Sequence, residues 1–181
     1  MPAFTASGTF PSGQRQKDKL IQHSGRLQID VDKVPADRLQ LVKEQLATDP
    51  CMEATFISPS GTGVKAVMKI PVCRDDQEHR QAFLAAENYL SQQYQLKIDP
   101  STKDVSRVLF ASYDQDLVLQ SNSVELDVAK WLDEQKQSTV TNKPSTAEHG
   151  QSYAQKVLEG ACQQILAAAS GERHNTRNRQ A

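Results

Sequence analysis

The pattern of apolar positions along the chain predicts four strands and two helices. Short runs rich in apolar and β-branched residues predict strands at 26–32, 53–58, 64–70 and 108–112. Apolar side chains three and four positions apart predict helices at 35–47 and 75–94. The resulting order, β-α-β-β-α-β, is the split βαβ arrangement of ferredoxin-like and RRM-like domains.

This order predicts an α+β fold with a defined sheet. The first and third strands are expected to be neighbours at the centre of the sheet. The two helices are expected to cover one face, and the other face is expected to stay open. Side chains that alternate along each strand would then be divided between a core and an exposed surface.

The composition divides the chain into three regions. Residues 1–120 are expected to form the α+β domain, and we expect its N-terminus to be truncated. Residues 121–146 are expected to hold a short helix and a linker without apolar period. Residues 147–181 are expected to be helical and to begin a further region, because apolar residues recur at helical spacing between Ala154 and Ala169.

Charge and cysteine usage narrow the class of protein. The 181 residues carry a net charge of −1, so contact with nucleic acid would need a local basic patch. The 3 cysteines have neither zinc nor disulfide spacing, which is typical of a reducing cytoplasm. We found no signal peptide and no apolar run long enough to span a membrane. The expected location is therefore cytoplasmic.

The first predicted strand carries two carboxylates, Asp30 and Asp32, near its end. Because strand side chains alternate, both point away from the face of Leu27, Ile29 and Val31. Two acids on one surface repel each other unless a cation lies between them, and oxygen ligands favour Mg²⁺ or Mn²⁺. The alternative is a solvated strand end that runs into a turn.

A loop of small residues joins the second and third predicted strands. Glycine and serine allow backbone N–H groups to approach an anion, and the lysine that follows adds a positive charge. The loop therefore predicts a phosphate-binding element, although a plain hairpin connection has the same composition. The candidate nucleotide-binding residues are Ser58, Ser60, Gly61, Gly63 and Lys65.

A third polar segment precedes the fourth predicted strand. Asp104 is a candidate for the third carboxylate of a metal cluster, and Arg107 is a candidate phosphate ligand. The alternative is an Asp/Ser loop with a surface arginine. If the predicted fold is correct, these residues, the loop and the acidic pair all lie on one face of the sheet.

Four segments carry a resemblance to a known family: Ser7–Phe10, His23–Lys33, Ser58–Lys65 and Lys103–Asp114. In this order they resemble the VirE N-terminal domain family, which is related to archaeo-eukaryotic primases and primase-polymerases. The resemblance implies a primase-type core and a place at the front of longer replication proteins of phages, plasmids and other mobile elements. A helicase-type ATPase region is then expected in the same or a neighbouring chain.

The resemblance also implies roles for individual residues. Asp30 and Asp32 would bind the metal, and Asp104 would be the third acid. Lys65 stands where primase-polymerases usually have a nucleotide-binding histidine, and this departure leaves catalysis in question because lysine offers different proton chemistry.

Three functions follow as hypotheses. The first is a DNA primase or polymerase that uses Mg²⁺ or Mn²⁺, nucleoside triphosphates and a single-stranded DNA template. The second is an inactive nucleic-acid-binding or docking module of a replication protein. The third is a metal-dependent nuclease, which uses similar carboxylates.

Overall fold

This computed structural model describes residues 2–133 of the chain. Two α-helices and three strands there follow the predicted apolar pattern. The strands are β1 (Ala3–Phe4), β2 (Gly8–Thr9), β3 (Gln22–His23), β4 (Arg26–Val31), β5 (Met52–Ile57), β6 (Val64–Lys69), β7 (Leu109–Phe110) and β8 (Val118–Leu119). The α-helices are α1 (Ala36–Thr48) and α2 (Asp76–Tyr94), and 3₁₀ helices lie at Lys17–Lys19 and Pro100–Lys103.

The long helix α2 begins and ends at recognisable caps. The carboxylate of Asp75 accepts a hydrogen bond from the backbone N–H of Glu78, which satisfies a donor that the first helical turn leaves unpaired. At the other end, Gln95 adopts the left-handed conformation that commonly follows a helix. These caps explain why the helix has the length that the apolar spacing predicts.

The main sheet has the strand order β4-β6-β5-β8, with antiparallel neighbours throughout. Strands β4 and β5 both pair with β6, so α1 connects two parallel strands with β6 between them. The predicted neighbourhood of the first and third strands is confirmed, and the fold is mixed α+β. However, β4 lies at the edge of the sheet rather than at its centre.

The main core lies between this sheet and the two α-helices. Strand β4 contributes Leu27, Ile29 and Val31, each at most 5% exposed, and α1 contributes Leu46, which is 0% exposed. Burial of one such aliphatic side chain stabilises the fold by roughly 1.5–3 kcal/mol. The alternation predicted for β4 therefore holds β4 against the helices.

The expected fourth strand does not join this sheet. Only Leu109–Phe110 is extended, and it pairs with β1. Beside β4 the chain instead enters a 3₁₀ helix, whose preceding residue Asp99 donates its N–H to the carbonyl of Asp30 over 2.7 Å. A proline at the first helical position and a capping aspartate favour this turn. The ferredoxin-like order is therefore not completed by residues 108–112.

The second sheet face is not open, contrary to the prediction. The buried residues Ala6, Phe56, Val67 and Leu109 form a second apolar cluster there. The face carries apolar side chains from β5 and β6, and the segments around Ala6 and Leu109 cover them. Asp30 is also only 5% exposed.

Residues 128–133 are helical, as the spacing of their apolar side chains predicts. Trp131 is buried in the main core and packs edge-on against Tyr89, with ring centroids 5.1 Å apart. The rest of the predicted linker and the helical segment at 147–181 lie outside the described residues. Among the described residues, no helix is both long and apolar enough to cross a membrane.

Candidate metal site

Asp30 and Lys65 lie directly opposite each other on β4 and β6. The ammonium group of Lys65 donates to Oδ2 of Asp30, and the two side chains are 12% and 6% exposed, respectively. Burial raises the pKa of Asp30, and the hydrogen bond and charge of Lys65 oppose this rise only in part. The shared face predicted for these two residues is therefore present, although it is largely buried.

Two further carboxylates lie beside this pair. Asp32 is exposed and follows the last residue of β4, while Asp99 precedes the 3₁₀ helix Pro100–Lys103. One oxygen from each of Asp30, Asp32 and Asp99 lies within 4.8 Å of the other two. We call these three residues the carboxylate cluster.

Hydrogen bonds hold Asp99 in its ionised form. Burial alone would raise the pKa of Asp99, but the N–H and hydroxyl groups of Ser101 both donate to its carboxylate. The positive charges of Arg107 and Lys65 act in the same direction, so the pKa of Asp99 is below its usual value. Arg107 is thus close enough to influence the cluster.

One oxygen of the cluster has no partner. Oδ1 of Asp30 is buried and accepts no hydrogen bond from the described residues. An unsatisfied buried carboxylate oxygen is costly, and a bound cation removes that cost. Oxygens in neighbouring positions on one Mg²⁺ are about 3 Å apart, so the three carboxylates would have to draw closer to share an ion.

The loop between β5 and β6 packs against the end of β4. A Cβ atom on Gly63 would lie 2.7 Å from the carbonyl oxygen of Val31 and 3.5 Å from Cα of Asp32, so only glycine fits without movement. The N–H of Val34 donates to the carbonyl of Thr62 over 2.9 Å, which fixes the loop from the other side. The loop is therefore a neighbour of Asp32.

The hydroxyl groups of this loop bond to one another. Oγ of Ser60 lies 3.0 Å from Oγ of Ser58 and 3.0 Å from Oγ1 of Thr62. Ser58 is buried, and Gly61 has the positive φ of 72° that suits a turn. These contacts build a tight turn beside the cluster, in which the predicted nucleotide-binding residues Ser58, Ser60, Gly61 and Gly63 all take part.

Asp104 is not the third carboxylate of the cluster. It ends the 3₁₀ helix, and its Oδ1 accepts hydrogen bonds from the N–H and hydroxyl groups of Ser106 at 2.9 and 2.8 Å. Burial raises the pKa of Asp104, but these bonds and the charge of Arg80 outweigh it. Asp99 occupies the position that we had expected for Asp104, because it starts the turn that lies against β4.

A cleft of about 330 Å³ adjoins the cluster. Two chain segments line it, residues 32–33 and 97–100. The cleft thus brings Asp32 and Asp99 together with Lys33 and Lys97. We did not predict the two lysines or Asp99 as site residues. The two segments are far apart in the sequence, so their proximity could not be predicted from it. The position of Asp99 directly before Pro100 was a sequence signal for a turn there.

A second group of metal-binding residue types is buried away from the carboxylates. His23, Cys73 and His79 each bring one possible ligand atom within 4.8 Å of the others. Nδ1 of His23 accepts backbone N–H bonds from Gly25 and Cys73 at 3.0 and 3.2 Å, so its proton belongs on Nε2. Nε2 then donates to Nδ1 of His79 over 3.1 Å.

Hydrogen bonds satisfy both ring nitrogens of His23 and Nδ1 of His79, whereas the buried Nε2 of His79 has no hydrogen-bond partner among the described residues. A metal could bind Nε2 of His23 only by displacing the proton on that nitrogen. Nδ1 already accepts hydrogen bonds, so it cannot carry the proton instead. Burial also raises the pKa of Cys73 to about 11, which keeps the thiol protonated. The sequence contains no short metal-ligand spacing that would predict this group, since 56 positions separate the two histidines.

Comparison with known families assigns most of the chain to a family. The family model described as "BT4734-like, N-terminal domain" matches residues 1–118. No curated protein matches the chain, and no solved structure does. The match corrects the resemblance drawn from the sequence: the assignment to the VirE N-terminal and primase-polymerase family is wrong, since a different family covers that region.

Proposed function

We propose that the carboxylate cluster of this chain, which belongs to the BT4734-like N-terminal domain family, binds a divalent cation. The cation would serve nucleotidyl transfer. The observation that carries the proposal is the buried Oδ1 of Asp30, which has no partner among the described residues. It belongs to a cluster in which one oxygen from each of Asp30, Asp32 and Asp99 lies within 4.8 Å of the other two. Three carboxylate oxygens form a hard ligand set, which suits Mg²⁺ or Mn²⁺.

The side chains in and around the cluster would have different roles in such a site. Asp30, Asp32 and Asp99 would hold the cation. A bound Mg²⁺ or Mn²⁺ supplies a Lewis acid that polarises a phosphoryl oxygen and favours attack by a hydroxyl group. The positive charge of Arg107 acts on Asp99, and its planar guanidinium group is suited to a phosphate.

Lys65 and a cation can use Asp30 at the same time. Lys65 bonds to Oδ2, whereas Oδ1 is the oxygen without a partner. The ion pair therefore orients the carboxylate and leaves one oxygen available. This division supports a positioning role for Lys65 within the site, with its charge directed at Asp30.

A second candidate is a module that binds nucleic acid or docks a partner without catalysis. The specific observation in its favour is the buried ion pair, in which Lys65 itself supplies a counter-charge for Asp30. Single-stranded DNA and nucleoside triphosphates remain the proposed ligands in the first case. The helicase-type ATPase partner depended on the corrected resemblance and is not part of the proposal.

Cation binding tests the first candidate directly. We expect wild type to bind Mn²⁺ in a calorimetric titration and Asp32→Asn and Asp99→Asn to bind at least about tenfold more weakly. Asp104→Asn is the matched control, since Asp104 lies outside the cluster, and it should bind as wild type does. Unchanged affinity in the Asp32 and Asp99 variants, or no Mn²⁺ binding by a folded wild type, contradicts the proposed site.

Nucleotide incorporation then separates the two candidates. The assay uses a single-stranded DNA template, labelled nucleotides and Mg²⁺ or Mn²⁺, with the same three variants. Incorporation that requires Asp32 and Asp99 but not Asp104 supports nucleotidyl transfer. Cation binding without incorporation favours the binding module, and shortened DNA would instead indicate a nuclease.

A further inference from the structure

Lys65 is poorly placed to be the phosphate ligand that its position in the sequence suggested. Its side chain is only 12% exposed, and its ammonium group is engaged with Asp30. A phosphate would have to compete with a buried carboxylate for the same charge. The cations that meet a ligand beside the cluster must therefore come largely from other residues.

The cleft beside the cluster supplies two such cations. Lys33 and Lys97 line it together with Asp32 and Asp99. Both lysines are exposed, and within residues 2–133 neither makes an ion pair or a side-chain hydrogen bond. Each chain segment that lines the cleft thus contributes one carboxylate of the cluster and one unpaired ammonium group.

The backbone at Lys33 is held in an uncommon conformation. Its φ is +55°, in the left-handed region that few non-glycine residues adopt. The neighbouring N–H of Val34 donates to the carbonyl of Thr62, and this bond fixes the turn. Such conformations persist where the surrounding structure imposes them, and they concentrate at ligand sites.

The size of the cleft limits the ligand. Its volume of about 330 Å³ corresponds to on the order of ten water molecules. This is at the lower end of the range for small-molecule sites, about 300–1,000 Å³. It suits a chain of two or three phosphates better than a whole nucleotide, so the base and sugar would lie outside.

We propose that Lys33 and Lys97 bind the phosphate chain of a polyphosphate ligand whose divalent cation the carboxylate cluster holds. This inference rests on the cation site proposed above and adds the residues that recognise the ligand. The alternating negative and positive groups of the cleft match a metal–polyphosphate complex, in which the cation and the phosphate oxygens are adjacent. The free carboxylates alone would repel the same ligand.

Binding of inorganic triphosphate in saturating Mg²⁺, measured by calorimetry, tests this inference. The variants are Lys33→Gln, Lys97→Gln and the double variant, and Lys19→Gln is the matched control because Lys19 is exposed and does not line the cleft. We expect about a tenfold loss of affinity for each single variant, a larger loss for the double variant and none for the control. Unchanged thermal unfolding would show that the exposed substitutions leave the fold intact.

A parallel titration with a non-hydrolysable nucleoside triphosphate identifies the source of the phosphate chain. If the base lies outside the cleft, the affinity for the nucleotide should be within a few fold of the affinity for triphosphate. The double variant should lose affinity for both ligands by the same factor. A nucleotide affinity that is independent of both lysines overturns the assignment.

A metal-only Mn²⁺ titration distinguishes failure of this inference from failure of the proposed function. Mn²⁺ binding with triphosphate affinity unchanged in the double variant overturns the role of Lys33 and Lys97 and leaves the cation site standing. Absence of Mn²⁺ binding by the wild type overturns the cation site itself, and the inference with it. Reduced triphosphate affinity with normal Mn²⁺ binding in the double variant supports both.

Discussion

The backbone N–H of Asp99 donates to the carbonyl oxygen of Asp30 over 2.7 Å. This bond occupies the free edge of β4 and brings a carboxylate from the turn before Pro100 beside the acid pair of the strand. The third carboxylate of the cluster is therefore set by a backbone contact between segments about 70 residues apart in sequence. Hydrogen bonds from Ser101 then orient the carboxylate of Asp99.

We predict that Ser101→Ala moves the acid limit of Mn²⁺ binding to higher pH. The Ser101 hydroxyl donates to the carboxylate of Asp99 and helps to hold its pKa below the usual value. Without this donor Asp99 takes up a proton at higher pH, and the cation loses a charged ligand. Mn²⁺ affinity measured from pH 4 to pH 8 checks the shift, and overlapping profiles for variant and wild type would contradict it.

We predict that Lys65→Met destabilises the fold by about 3–5 kcal/mol at neutral pH. The substitution leaves Asp30 buried without its partner, whereas Lys65→Met combined with Asp30→Asn removes both charges and should recover much of the loss. Urea unfolding of the two variants checks this order. Equal stabilities for the single and double variants would contradict the assignment of this loss to an unpaired, buried Asp30.

A second buried ion pair provides a control for this effect. Lys43 on α1 lies 2.8 Å from Asp114, and the two side chains are 4% and 9% exposed. Lys43→Met should cost a similar amount of stability but leave Mn²⁺ affinity unchanged, because the pair lies outside the carboxylate cluster. Altered Mn²⁺ affinity in a folded Lys43→Met protein would mean that loss of stability alone disturbs the site.

We predict that stability falls as pH decreases from about 6.5 towards 4. Burial lowers the pKa of His79 to about 4, and it also lowers the pKa of His23. Below pH 6.5 the unfolded chain therefore binds more protons than the folded chain, so the free energy of unfolding decreases with falling pH. Urea unfolding at pH 7, 6, 5 and 4 measures the slope.

The variant His79→Gln isolates this contribution. Asp30 acts in the opposite direction, since burial raises its pKa and acid favours its folded, protonated form. Replacement of His79 should reduce the pH dependence between pH 6.5 and 4 while leaving the contribution of Asp30. An unchanged slope would assign the dependence to other groups.

We predict that Gly63→Ala is more destabilising than Gly61→Ala. A Cβ atom at Gly63 would lie 2.7 Å from a backbone oxygen, so the loop or β4 must move, at a cost of about 1–3 kcal/mol. A Cβ atom at Gly61 meets nothing within 4 Å, and only its φ of +72° opposes the change, by roughly 1–2 kcal/mol. Thermal unfolding ranks the two variants.

The same two variants should show whether the position of the loop, rather than its stability, affects Mn²⁺ binding. Gly63→Ala is expected to weaken Mn²⁺ binding because the loop packs against Asp32, whereas Gly61→Ala should not. Equal Mn²⁺ affinities for the two folded variants would show that the loop does not position Asp32.

The sequence by itself determined the elements whose cause is local. The alternation of Leu27, Ile29 and Val31 predicts β4 and its buried face, because successive strand side chains point to opposite sides. The apolar spacing after Asp75 predicts α2, because helical periodicity acts within a few residues. The order of these elements also led to the neighbourhood of β4 and β6, with Asp30 and Lys65 on one shared face.

Only the tertiary structure decided which distant residues meet. It selected Asp99 over Asp104, covered the sheet face that we expected to be open, and brought His23 to His79. Each outcome depends on a contact between segments far apart in the chain, such as the packing of Leu109 against Phe56 and Val67. Propensity and periodicity describe each segment against its own neighbours, and they contain no term for the segment that eventually covers it.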